Sequence, residues 1–120
     1  MATIDIVNAI YEQVLERPVD DPGAATCVPL LEEGHITVKE VVKTLSRSPE
    51  YQSRFIEGQT ARQAVELCYK HFLARAPDPD GWNYWTAIGE QQGFKPVIAG
   101  LIDSGEYTHR FGDHGIPMPG

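Results

Sequence analysis

Four histidines, two cysteines, two recurring serines and a short run of aspartates are the side chains of this sequence whose types could carry chemistry. His35, His71, His109 and His114 would serve as metal ligands or proton carriers if a second ligand stood one helical turn away. No two of them form a ligand pair at i, i+4 with a nearby carboxylate, and His71 lies beside apolar Phe72 on a helix that already has packing to do. They read as solvated or hydrogen-bonded structural histidines, and no metal site is expected. Ser48 and Ser104 recur, but each stands where a helix N-cap belongs, and neither sits in the tight turn of a nucleophile elbow. The aspartates of Asp78-Pro79-Asp80-Gly81 begin like a calcium loop, yet the glycine comes too early and no glutamate closes the ring. Cys27 and Cys68 are far apart with no second ligand beside either, so two reduced, partly buried thiols are expected. With no nucleophile, no paired acid and base and no phosphate loop, the expectation is a protein without catalytic residues and without a cofactor, not an enzyme.

The elements that would position these residues come in two copies. Ala64 to Gly81 repeats Ile6 to Gly23 without a gap: Tyr69 falls on Tyr11, Leu73 on Leu15, Arg75 on Arg17, Asp78 on Asp20 and Gly81 on Gly23. Further on, Ser48-Pro49-Glu50-Tyr51 with Arg54-Phe55 returns as Ser104-Gly105-Glu106-Tyr107 with Arg110-Phe111. Arg17 and Arg75 follow their helices at the same point, where each can reach the last carbonyls or a carboxylate in the next turn, such as Asp20 or Asp78.

Local signals fill in helices. Thr3 caps one from about Ile4 to Glu16, with Ile6, Ala9, Ile10 and Val14 as its stripe. A second, from about Ala24 to Glu33, contains Pro29, which predicts a kink or a start delayed to that proline. Thr37 with Glu40, and Thr60 with Gln63, form capping boxes; the first opens a helix with Val38, Val41, Val42 and Leu45 on one face. The second opens a central helix from about Ala61 to Leu73, whose Val65, Cys68, Tyr69, Phe72 and Leu73 make a broad apolar face. Ser48-Pro49-Glu50 starts a short helix with Tyr51 and Phe55 on its inner side, and an aspartate of the Asp78 run caps another that carries Trp82, Tyr84, Trp85 and Ile88. Those three rings within four residues cannot share one side of a helix, so at least one faces outward. Pro96 and Ser104 start the last two helices. No alternating pattern of strand length occurs. The fold class expected is all-α: a compact bundle of about seven to eight helices built from two related four-helix halves, at about 4–56 and 60–112, in one domain over 1–112 with a flexible tail over 113–120.

Composition narrows the partners. A chain of 120 residues with 42% apolar content suits one domain with a real core. Seventeen acidic against ten basic residues give a net charge of −7, concentrated in the first copy, and no basic cluster marks a face for nucleic acid or anionic lipid. No apolar run is long enough to cross a bilayer, and MATIDIVNAIYEQ lacks a basic head, so an intracellular protein is expected.

In order along the chain, Ala9 to Leu15, Gly34 to Val42, Ser48 to Phe55, Tyr69 to Pro77, Ile102 to Tyr107, then Phe111-Gly112-Asp113 and Pro117, resemble the linker domain of phycobilisomes, from Ile6 to Pro117. The resemblance implies a pigment-free structural scaffold, cytoplasmic and peripheral to the thylakoid membrane. Its implied partners are phycobiliproteins, phycocyanin or allophycocyanin, whose bilin absorption a seated linker can shift. Two features depart from that family: rod members tend to be basic where this chain is acidic, and Asp78 to Trp82 with Tyr84-Trp85 is closer to a sister repeat of bacterial surface and secreted proteins. The alternative function is accordingly a protein-interaction module of a bacterial surface or signalling protein. In either case the expected partner-binding residues are Tyr51, Phe55, Trp82, Trp85, Tyr107 and Phe111, because large rings are what an interface anchor needs.

Overall fold

The computed structural model describes residues 1–120. Eight helices follow one another, with no strand: α1 (Thr3–Leu15), α2 (Asp21–Glu32), α3 (Val38–Ser46), α4 (Pro49–Tyr51), α5 (Ala61–Leu73), α6 (Pro79–Gln92), α7 (Lys95–Ile102) and α8 (Gly105–Arg110). The fourth runs on through a π-helical stretch, Gln52–Ile56, before the link to α5. The all-α class expected from the sequence is the class observed.

Side-chain caps set most of the helix starts. The Thr37 hydroxyl accepts from the Glu40 amide at 3.1 Å while the Glu40 carboxylate accepts from the Thr37 amide at 3.0 Å, and Thr60 and Gln63 repeat the exchange at the head of α5. Ser48 and Ser104 accept from the amides of Tyr51 and Tyr107, each at 3.1 Å, and turn their own hydroxyl protons onto the carbonyls of Leu45 and Leu101 at 2.7 Å. Both serines are caps, as their spacing predicted. Asp78 accepts from the Gly81 amide and holds the start of α6.

Three local expectations are corrected. Thr3 lies inside α1; the N-cap is Ala2, which has no side-chain hydrogen bond to offer. Helix α2 begins at Asp21 rather than Ala24, because Asp20 caps it through the Gly23 amide and Pro22 falls in the first turn, where a missing N–H leaves nothing unpaired. The chain after α8 is not a loose tail: Ile116 packs on the core, Pro117 is buried, and the Asp113 carbonyl accepts from the Lys39 amide at 3.1 Å.

Helix α5 carries the centre of the molecule, and the residues of its expected apolar face, Val65, Cys68, Tyr69, Phe72 and Leu73, are all buried. It packs against α1, α6, α7, α8 and the π-helical stretch. Helix α1 does the same for the first copy, against α2, α3 and α4, and α3 meets α7 across the join. Buried side chains from both copies form a single cluster, in which each fully buried aliphatic side chain contributes about 1.5–3 kcal/mol. The halves are related in sequence but share one interior.

Candidate functional site

The repeat builds the same ionic clamp twice. In the first copy the Arg17 guanidinium donates from Nε and Nη2 to the two oxygens of Glu50, each at 2.7 Å; in the second, Arg75 does the same to Glu106 at 2.8 Å. Arg54 and Arg110, one turn after those glutamates, approach the same carboxylates at 3.1 Å and donate to the Leu15 and Leu73 carbonyls at the ends of α1 and α5. Charge-assisted pairs of this bidentate form are the strong members of their class. The arginine hydrogen bonds hold both glutamates below the ordinary carboxylate range. Arg17 also touches Asp20 at 3.3 Å and Arg75 touches Asp78 at 3.6 Å, so the turn carboxylates are contacted as expected, but as secondary partners. The helix-end carbonyls expected for Arg17 and Arg75 are served instead by Arg54 and Arg110.

Each clamp lies beside a tyrosine. Arg17 stands 5.4 Å from the Tyr11 ring centre and Arg75 stands 5.1 Å from that of Tyr69. The hydroxyl of each tyrosine presses on the glycine of the following turn so closely that a Cβ on Gly23 or Gly81 would fall 2.5 Å from it. Helices α1 and α5 both end in a left-handed residue, Glu16 at φ 54° and Ala74 at φ 51°, which turns the chain toward the clamp. Glycine at the repeated turn is therefore a requirement of packing, while the left-handed corner is held by residues that prefer other conformations, at a cost of about 1–2 kcal/mol each.

Behind the first clamp lies a buried polar chain. The Tyr51 hydroxyl is 2.8 Å from His71 Nδ1, and His71 Nε2 is 2.7 Å from the Glu16 carboxylate, with Cys68 Sγ 3.7 Å from the hydroxyl. Burial pushes the His71 imidazole below its ordinary range, and the hydrogen bond from His71 holds the Glu16 carboxyl low. A neutral ring that accepts from Tyr51 and donates to Glu16 satisfies every partner. Burial raises the Tyr51 phenol well above its usual value and the Cys68 thiol to about 12, so neither is poised to ionise. His71 is thus a hydrogen-bonded structural histidine. No group of three His, Cys, Asp or Glu side chains stands where it could hold a metal ion.

The residues expected at a docking surface divide into two sets. Tyr51 and Tyr107 are 0% exposed and Phe55 is 7% exposed; they face the interior and offer a partner no area. Trp82, Trp85 and Phe111 are half-buried against the core. Trp82 donates its indole N–H to the Arg62 carbonyl at 3.0 Å beneath the Arg62 guanidinium, and Trp85 covers Gly100, where a Cβ would come within 2.3 Å of the ring. The outward ring of α6 is Tyr84, 60% exposed and set edge-on to Trp85 with ring centres 4.9 Å apart. One outward ring among the three was foreseeable from the helical period. The partnership of Glu50 and Glu106 with the arginines was not seen in the sequence, although their recurrence in the two Glu-Tyr pairs was the available signal.

A family model described as Phycobilisome Linker polypeptide matches residues 2–119. The chain is 35% identical over 115 residues, 93% of its length and 40% of the relative's, to a "Phycobilisome 32.1 kDa linker polypeptide, phycocyanin-associated, rod 1" of Synechocystis sp.. It is 30% identical, over 97% of its length and 45% of the relative's, to a 37.5 kDa phycocyanin-associated rod linker polypeptide of Microchaete diplosiphon. It is also 35% identical to the "Phycobiliprotein ApcE" of Galdieria sulphuraria, over 93% of its length and 14% of the relative's. The chain therefore spans less than half the length of these relatives.

Proposed function

The chain belongs to the phycobilisome linker polypeptide family, and from that premise we propose that it is a non-catalytic scaffold that binds phycobiliproteins, phycocyanin or allophycocyanin, and fixes how their assemblies stack in the antenna at the cytoplasmic face of the thylakoid. The observation that carries the reading is the match, over 93% of the chain, to a linker named as phycocyanin-associated. No helix is long and apolar enough to cross a membrane, which suits a body held in place by protein contacts.

The mechanism is docking of a rigid body. The two clamps and the shared core fix the relative positions of the helices, and α6 offers Tyr84 with the partly exposed edge of Trp85 as an aromatic patch, with Trp82 as a separate anchor on the side that faces Arg62. Rings of this kind, rigid and with one polar edge, serve as anchors when they enter a pocket on a partner. Phe111, half-buried beside Arg110, is a further candidate anchor. Tyr51, Phe55 and Tyr107 contribute from within, by keeping α4 and α8 seated. The assignment involves no bond-making step.

The test is to mix the purified protein with phycocyanin and with allophycocyanin and follow co-sedimentation and the absorption spectrum. Assemblies heavier than either component, with a displaced bilin band, are expected. Absence of assembly with both proteins would overturn the reading. Tyr84→Ala combined with Trp82→Ala should weaken assembly by about tenfold or more, since a hot-spot ring costs about 2 kcal/mol when removed.

A further inference from the structure

The chain is acidic, yet its cations are not spread evenly. Eight of the ten Lys and Arg residues are engaged: Arg17, Lys39, Lys43, Arg54, Lys70, Arg75 and Arg110 have carboxylate partners, and Arg62 is held by the Trp82 ring and Asn83. The remaining two, Arg47 and Lys95, are exposed, have no acidic partner, and line the same cleft. That cleft, of about 240 Å³, lies between the C-terminal end of α3 and the outer face of α7. Lys43 and Gln52 border it as well, the buried Ile98 and Ile102 underlie it, and no acidic side chain lines it.

The repeat explains why this charge is unmet. With Ser48 matched to Ser104, Arg47 falls on Asp103 and Lys95 falls on Lys39. On the other side of the α3 and α7 pair, Asp103 answers Lys39 at 3.9 Å and Lys43 at 3.1 Å. On the cleft side, the position equivalent to that aspartate is an arginine. On one side the second copy supplies a carboxylate to the lysines of the first; on the cleft side the first copy offers an arginine to Lys95, which leaves two cations and an amide around an empty space.

We propose that this cleft receives an acidic side chain, an aspartate or glutamate, from a segment of the protein that the linker binds. The proposal deepens the linker reading and relies on it only for the identity of the partner. Charge complementarity selects the occupant: in a molecule of net charge −7, an acidic partner is repelled by most of the surface and attracted at this place. The cleft therefore sets the orientation in which an acidic partner approaches, and the contact weakens as salt rises.

Titration of the whole chain with a fluorescent oligoglutamate peptide, followed by anisotropy and by the NMR signals of Arg47, Gln52 and Lys95, tests the cleft directly. Salt-dependent binding that shifts those signals is expected. Arg47→Asp, which reproduces the self-neutralised arrangement of the other side, should weaken it about tenfold, while Arg47→Lys retains it. Both substitutions are at an exposed position, and an unchanged melting temperature verifies the fold. No binding, or binding that Arg47→Asp and Lys95→Ala leave unaltered, overturns the proposal. The same variants in the phycocyanin and allophycocyanin assembly assay separate the two readings. Assembly that is indifferent to them sinks the cleft and leaves the linker function; peptide binding in the cleft with no assembly sinks the linker function and leaves the cleft.

Discussion

Tyr51 and Tyr107 occupy the same place in the two copies, both are wholly buried, and their hydroxyls meet opposite fates. Tyr51 reaches His71 and through it Glu16, whereas the Tyr107 hydroxyl has no hydrogen-bond partner. The difference begins at the residue that Tyr51 meets. Position 71 of α5 is histidine, while its match in α1 is Gln13, which bends away to donate to the carbonyls of Lys70 and His71. Position 16 is glutamate and its match is Ala74. The clamps that set the backbone are the same in both halves, so the duplicated part is the frame, and the polar interior is where the copies have diverged. Lys39, 5.5 Å from the Tyr107 ring centre, is the nearest thing the second side has to a charged partner for its tyrosine.

The sharpest way to break this contrast is at the matched pair His71 and Gln13. His71→Ala strips a buried ring, leaves the Tyr51 hydroxyl unpaired and opens a void, and should cost about 2–4 kcal/mol in urea unfolding. Gln13→Ala removes only hydrogen bonds at the edge of the molecule and should cost less than about 1 kcal/mol. Equal losses would mean that the polar chain has no special weight. Next in size is the tyrosine pair itself. Tyr51→Phe leaves His71 Nδ1 without its donor and should destabilise by about 1–2 kcal/mol, while Tyr107→Phe removes a hydroxyl that bonds to nothing and should be neutral or stabilising. The clamps supply the control: Arg17→Lys and Arg75→Lys each lose bidentate geometry on a partly solvated pair, so losses near 1 kcal/mol, alike in the two halves, are expected from the same unfolding curves.

The smallest effect is on pH dependence, and it belongs to the first half alone. Folding lowers His71 from its ordinary value near 6.5, so the native state holds the ring neutral and the unfolded chain binds the extra proton. Stability from this group is complete above about pH 6.5 and falls as pH drops through that value toward the folded one. Glu16, also lowered, acts with the same sign at more acid pH. Urea midpoints measured from pH 7.5 down to about 5 should decline more steeply in the native sequence than in His71→Gln. Parallel curves would show that His71 titrates alike in both states.

The frame was legible in the sequence because it depends on local rules. Thr37, Ser48, Thr60 and Ser104 announce helix starts through residues three positions away, and a gapless repeat from Tyr11 and Tyr69 to Gly23 and Gly81 marks the paired turns. The clamps were half legible: Arg17 and Arg75 stood out by recurrence, but their main partners lie 33 and 31 residues further on, where only the packing of α1 on α4 and of α5 on α8 brings them together. Tyr51, Phe55 and Tyr107 were expected at a docking surface because helical period reveals which rings share a face and not whether that face meets the core or a partner. The π-helical turn at Gln52–Ile56 left no mark at all, since the counterpart of its Arg-Phe pair, Arg110-Phe111, instead closes the short helix α8.

Since Tyr51 from the first copy is fastened to His71 of the second, and buried side chains of both lie in one cluster, neither copy has a finished inside of its own. Severed at Gly58, the two pieces would each be left with a bare apolar flank and would regain structure only by finding each other. The same dependence means that force applied at either end of the domain is carried as a whole, with no internal hinge at which the duplicated units could part.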